Sequence, residues 1–156
     1  MKLIVNGEEP FKAPAPRFVI GQTSAGYTLE YGVDGENFTS AGQASVQVKK
    51  NLRQLGLMPE TIRRVSIAMY EGEINMVIHA NGGTITANIC PGEIELVFAD
   101  RGPGIPNIER AMKAGWSTAS HTARSMGFGA GMGLPNIKKF TDYFFLETEI
   151  GIGSVL

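Results

Sequence analysis

Glu71 and Asn75 stand one helical turn apart in a stretch with helical periodicity, so they share a face, and His79 continues the same stripe. A carboxylate and an amide so placed can serve a hydrated Mg²⁺ and a reacting hydroxyl or water. Mg²⁺ takes few protein ligands and keeps several waters, so one Asn oxygen is a sufficient contact. Glu71 can accept a proton or orient water if it lies within hydrogen-bond reach. Glu73 falls on another face of the same helix and reads as ordinary surface.

Asp100 ends an apolar strand and is followed by Arg101-Gly102-Pro103-Gly104-Ile105. The glycines let backbone approach a ligand closely. The carboxylate can accept a hydrogen bond from an amino group such as the adenine N6, a charge-assisted bond worth about 1.5–3 kcal/mol. A third element is Gly127-Phe-Gly129-Ala-Gly131-Met132-Gly133-Leu134, where alternating glycines run into a helix. Backbone N–H groups at a helix start, with the dipole behind them, favour phosphate. The spacing is not the dinucleotide fingerprint, and no Gly-Lys-Ser/Thr follows to make a Walker A loop. Each element has a plain structural explanation when taken alone: a solvated helix face, a turn-forming Asp, a Gly-rich hinge.

Other side chains weigh less. Trp116, Ser117 and Thr118 shape or anchor a loop. His121 and Arg124 could meet phosphate charge but read better as solvated surface. His79 reads as a packed histidine rather than a ligand, and Cys90, beside a turn, as inert. Met58, Met69, Met76, Met112, Met126 and Met132 read as core or loop anchors.

These residues need elements to carry them. Lys2 to Val5 has the pattern of a short strand, and Pro10, Pro14 and Pro16 break regular structure after it. Tyr27 to Val33 reads as a strand ending in the turn Asp34-Gly35. Phe38, Ala41, Ser45, Val48, Leu52 and Leu55 lie on one helix face, with Gly56 as the C-terminal stop. Pro59 opens a second helix, whose face carries Ile62, Val65, Met69, Met76 and Ala80. Ile85, Ala87 and Ile89, then Ile94, Leu96 and Phe98, alternate around Pro91-Gly92, which makes a hairpin. A short helix near Asn107 to Ala114, a long loop from Trp116 to Phe128, a helix from Leu134 to Thr141 and a strand from Tyr143 to Glu149 follow. Gly151 to Gly153 then turns into a last strand. A loop as long as Trp116 to Phe128 inside a compact domain is usually functional or mobile.

The order segregates helices from strands. It predicts an α+β, two-layer α/β sandwich: a mixed, mostly antiparallel sheet with helices on one face. Residues 1–26 read as an N-terminal extension with at most one strand, and 27–156 as one domain. With 156 residues and 43% apolar composition, such a chain buries about 68–70% of its unfolded surface. The net charge of −1 and the lack of a basic stretch argue against a nucleic-acid partner. One cysteine excludes an intrachain disulfide and a multi-cysteine metal site. No apolar run approaches the ~18 residues of a membrane span, and the N-terminus lacks a signal-peptide core. The expected compartment is the cytoplasm.

In this order, and on these elements, the three motifs resemble the GHKL ATP-binding superfamily. Glu71-x-x-x-Asn75 is similar to its N box, Asp100-x-Gly102-x-Gly104-Ile105 to its first glycine box, and Gly129-x-Gly131-x-Gly133-Leu134 to its second. Gly153-Ser154 stands where the family commonly has Gly-Thr, whose hydroxyl helps hold adenine. The resemblance covers about Tyr27 to Leu156 and implies the Bergerat fold. Within the superfamily, the helix Pro59 to Ala80 and the stretches Pro106 to Met112 and Gly133 to Lys139 are most similar to small bacterial serine-protein kinases and anti-sigma factors.

That resemblance implies ATP-dependent phosphorylation of a serine or threonine on a small STAS-domain partner. The alternative it implies is a nucleotide-gated module that grips a sigma factor and transfers little or no phosphate. It makes Asn75 the Mg²⁺ ligand, Glu71 the candidate base, Asp100 the reader of adenine, and Gly115 to Phe128 the lid. Gly102, Gly104, Ile105, Gly127, Gly129, Gly131, Met132, Gly133, Leu134 and Ser154 would complete the ATP site. It implies neither nucleic acid nor membrane as partner and admits a homodimer. A histidine-kinase catalytic domain is a third reading, but no dimerisation helix with a phosphoacceptor histidine is visible. The lid is longer than the switch-kinase pattern by Ala119 to Met126. The first ~20 residues match nothing in the family pattern, and the last strand stops at Leu156 sooner than that pattern leads one to expect.

Overall fold

The computed structural model describes residues 21–23, 26–35 and 37–156. The short strand expected at Lys2 to Val5, and the proline-broken stretch after it, lie outside the described residues. The elements run β1 (Gly21–Thr23), β2 (Gly26–Asp34), α1 (Gln43–Gln54), α2 (Pro59–His79), β3 (Gly82–Cys90), β4 (Glu93–Asp100), α3 (Ile108–Ala111), α4 (His121–Ser125), α5 (Gly133–Phe140), β5 (Glu147–Glu149) and β6 (Gly153–Val155). The strands form one sheet of order β1-β2-β3-β4-β6-β5, and every pairing among the described residues is antiparallel. This is the α+β sandwich expected from the element order.

The strand alternation predicts which side chains turn inward. Ile85, Ala87 and Ile89 of β3 and Phe98 of β4 are buried. They form one core with Val48 and Leu52 of α1 and Ile62, Met69 and Met76 of α2. On the opposite face of the sheet, Thr28, Asn88 and Glu95 run a hydrogen-bonded ladder across three strands, with bonds of 2.9 and 2.7 Å. Burial of the apolar set, at about 25 cal/mol per Å², drives the layers together.

Gly72 decides how close the layers come. A Cβ there would lie 2.3 Å from the Phe98 ring, so only glycine lets β4 press against the backbone of α2. That contact falls beside Glu71 and Asn75 and brings the end of β4, with Asp100, up to their face of the helix.

Four local readings need correction. The first helix begins at Gln43, not Phe38: Phe38 and Ala41 lie in turns, and Gly42, at φ 92°, stops the helix from extending back. The loop from Trp116 to Phe128 contains α4, capped by Ser120, whose hydroxyl accepts from the Ala123 N–H. Of the strand expected from Tyr143 to Glu149, only Glu147–Glu149 pairs, because residues 142–146 run irregularly after α5. Glu73, read as surface, is buried at 3% exposure. Its carboxylate accepts from the N–H groups of Gly42, Ala44 and Ser45 at 3.0, 3.1 and 2.9 Å. The first turn of α1 has no capping side chain of its own, so a carboxylate from α2 supplies the missing acceptor, a placement the helix dipole also favours.

Candidate functional site

A cavity of about 500 Å³ opens between α2, the end of β4, the segment before α5 and the loop after α3. Its size falls in the range of small-molecule sites. Glu71, Asn75 and His79 line it from α2, as one face of a continuous helix requires. Asp100, Gly104 and Ile105 line it from the end of β4, and Ser154 from β6. Gly127, Gly129, Gly131, Met132, Gly133 and Leu134 close the far side. Gly102 is buried behind the cavity, against Ala80. Its N–H holds the Asp100 carboxylate instead.

Asp100 is fixed before any ligand arrives. One carboxylate oxygen, Oδ1, accepts from the N–H of Gly102 at 2.8 Å and of Ser154 at 3.1 Å. Burial raises its pKa, and the bonds from Gly102 and Ser154 oppose that rise. Ser154 is in turn held by Thr148, hydroxyl to hydroxyl at 3.0 Å. Thr148 also accepts from the Ile105 N–H at 2.8 Å, which pins the loop after Asp100 to β5. Thr148 went unnoticed in the sequence. The only signal for it is its inward position between Glu147 and Glu149, and a strand of three residues makes that alternation faint.

The glycine run is a consequence of backbone shape. Gly131 has φ 76°, and a Cβ there would lie 2.5 Å from the Trp116 nitrogen. The segment lies that close because Gly115 N–H donates to the Gly131 carbonyl at 2.9 Å. Gly133 opens α5 directly over Asn75: a Cβ would meet the Asn75 amide oxygen at 2.8 Å. No side chain caps α5. Gly133 and Leu134, which open the helix, line the cavity, so the cavity meets the positive end of the helix dipole.

Glu71 has a partner the sequence did not reveal. The side-chain amide of Asn136, in α5, donates to its Oε1 at 2.6 Å. Asn75, by contrast, has no side-chain hydrogen bond among the described residues, though it is half-buried against Gly133. A half-buried amide oxygen with no protein partner among the described residues, beside the start of a helix, suits a hydrated cation. No cluster of three or more His, Cys, Asp or Glu side chains forms among the described residues. An ion here would therefore depend on Asn75, water and an anionic ligand.

The long loop over the cavity holds its own shape. Arg124, exposed, donates to the carbonyls of Ala119 at 3.1 Å and Ser117 at 2.9 Å, so it serves the loop. His121 is exposed. Phe128 stacks on Phe38 with ring centres 5.8 Å apart, which ties the loop to the turns before α1. Thr118 meets His79, with its hydroxyl 3.2 Å from Nδ1. Burial lowers the His79 pKa and favours the neutral ring.

A helix-borne Glu and Asn, an Asp at a strand end and a glycine run before a helix all line one cavity of an antiparallel two-layer sandwich. No family model matches the chain. Individual proteins do. The serine/threonine-protein kinase RsbT of Bacillus subtilis is 30% identical over 116 residues, covering 71% of this chain and 81% of its own length. The anti-sigma F factor of Clostridium acetobutylicum is 33% identical over 116 residues, covering 71% and 78%. The anti-sigma F factor of Geobacillus stearothermophilus is 26% identical over 134 residues, covering 82% and 86%. The chain belongs to the GHKL superfamily, in its branch of bacterial anti-sigma factors and switch serine-protein kinases.

Proposed function

We propose that the protein is a regulatory serine/threonine kinase of the cytoplasm that uses ATP and Mg²⁺ to phosphorylate a small partner protein of the STAS type. The observation that carries this reading is the meeting of Glu71, Asn75, Asp100 and the uncapped start of α5 on one cavity. Asp100 would accept from the adenine amino group through the side of its carboxylate not held by Gly102 and Ser154. The α5 start would receive the phosphates. No Lys or Arg lines the cavity among the described residues, so the triphosphate charge needs a cation, and Asn75 is the oxygen donor in reach. Mg²⁺ would neutralise charge on the transferring phosphoryl group. Glu71, steadied by Asn136, would orient the incoming hydroxyl and accept its proton. Positioning and charge stabilisation would supply most of the rate.

The experiment is Glu71→Ala, with ATP affinity and partner phosphorylation measured on the same preparation. Binding is expected to persist while transfer falls by about 10²-fold or more. A second reading is favoured by the anti-sigma F factors among the relatives. In it the nucleotide sets the lid, and the lid region grips a sigma factor with little or no transfer. Partner regulation that survives Glu71→Ala unchanged would favour this second reading.

A further inference from the structure

The nucleotide reading leaves one pair unexplained. Thr118 stands at the cavity mouth, exposed, and its hydroxyl lies 3.2 Å from the Nδ1 of His79. The three lid serines serve backbone. Ser117 accepts from the Ala119 N–H, Ser120 accepts from the Ala123 N–H, and Ser125 donates to the Thr122 carbonyl. Thr118 is the hydroxyl set against a nitrogen base, and that base stands one turn beyond Asn75 on the cavity stripe of α2. A hydroxyl within hydrogen-bond reach of an imidazole is the arrangement of an activated nucleophile.

We infer that Thr118 is a phosphoacceptor of the chain's own nucleotide site, with His79 as the base that takes its proton, an assignment that rests on the ATP reading above. The Thr118 oxygen attacks the γ-phosphorus. The new O–P bond forms as the bond from that phosphorus to the bridging oxygen of ADP breaks. ADP leaves with the electron pair, and the hydroxyl proton passes to His79 Nδ1. This requires the neutral tautomer with its hydrogen on Nε2, so that Nδ1 accepts from the Thr118 hydroxyl at 3.2 Å. The product would place a phosphate of charge about −1.5 to −2 beside Asn75 and the α5 start, where a nucleotide's phosphates would otherwise lie. Like-charge repulsion would then weaken rebinding of ATP, so the modification would limit itself to one event per site and silence the lid.

The test incubates the wild-type chain with Mg²⁺ and ATP, measures ATP affinity by calorimetry, and maps phosphate by peptide mass spectrometry. Acid-stable phosphate on Thr118 is expected. Thr118→Ser is expected to retain modification at that position and Thr118→Ala to lose it. His79→Gln is expected to slow modification by about 10²-fold while Thr118 remains present. A chain that binds ATP but carries no phosphate on Thr118 overturns this inference alone. Acid-labile phosphate on His79 in place of Thr118 also overturns it, and unslowed modification in His79→Gln overturns the base assignment. A chain that binds no ATP overturns the nucleotide reading and this inference together.

Discussion

Two carboxylates of α2, Glu71 and Glu73, stand two residues apart and do different work. Glu73 faces α1 and is enclosed by three N–H donors. Glu71 faces the cavity and has one partner, the Asn136 amide. A helix advances about 100° per residue, so two residues carry a side chain to nearly the opposite face. One face of α2 is therefore committed to holding the helical layer, and the other is left with unsatisfied polar groups around a void. A fully satisfied carboxylate has nothing left to offer a ligand. A sparsely bonded one has lone pairs to spare. The same chemistry reads as scaffold or site according to how many donors surround it.

The largest expected effect breaks the scaffold side. Glu73→Ala should destabilise the fold by about 3–5 kcal/mol, because three buried donors each lose a charge-assisted bond worth about 1.5–3 kcal/mol and water recovers only part of it. Denaturant unfolding checks this. Glu71→Ala, on the half-buried cavity side, should cost less than about 1 kcal/mol, the ordinary worth of one hydrogen bond. Equal losses from the two changes would erase the distinction between the faces.

The next effect is on ligand affinity. Asp100→Asn can keep the bonds from Gly102 and Ser154 through its remaining oxygen, yet presents an amide where a carboxylate stood. ATP affinity is expected to fall by about 10–150-fold, the equivalent of about 1.5–3 kcal/mol. Unchanged affinity in calorimetry would sink the adenine assignment.

Gly133→Ala should act more gently. Its Cβ would press on the Asn75 amide, the movable end of a side chain, at 2.8 Å. Mg²⁺-dependent ATP affinity is expected to drop by about tenfold, that is about 1.4 kcal/mol, with little change in melting temperature. A large fall in melting temperature would instead place Asn75 with the scaffold.

The smallest effect is a pH dependence. Burial raises the Asp100 pKa, so the folded chain holds that proton more tightly than the unfolded one. Its contribution to stability is present at acid pH and is lost as the pH rises from the ordinary value of 3.8 through the raised one. Asp100→Asn does not titrate. Its stability relative to wild type should therefore improve as the pH rises through that window, and the difference should level off at neutral pH. Parallel stability curves across the window would show that Asp100 is not desolvated.

The motif residues were legible because each carries its own spacing. Glu71 and Asn75 share a helix face at any sequence position, and the alternation of Ile85 to Phe98 leads into Asp100. The glycines at 127, 129 and 131 mark a backbone with φ of 86°, 75° and 76°, which favours residues without a Cβ. The spacing that sets Glu71 and Asn75 on one face sets Glu73 on another, which the structure buries against α1. Periodicity tells which residues share a face, but not which face another helix will cover.

The sequence alone determined the order of the elements other than β1 and α4, the alternation that builds the core, and the polar stripe on α2, since these depend on local period and turn chemistry. Tertiary structure decided everything that joins distant segments. It set α1 on Glu73, Asn136 on Glu71, Thr148 behind Ser154 and Asp100, and Thr118 against His79. These pairs are 28 to 65 residues apart or lie on separately placed elements, and their contacts exist only once the layers have packed. The close approach at Gly72 and Phe98 is what sets the spacing of those layers, and with it the cavity between Asp100 and Gly133.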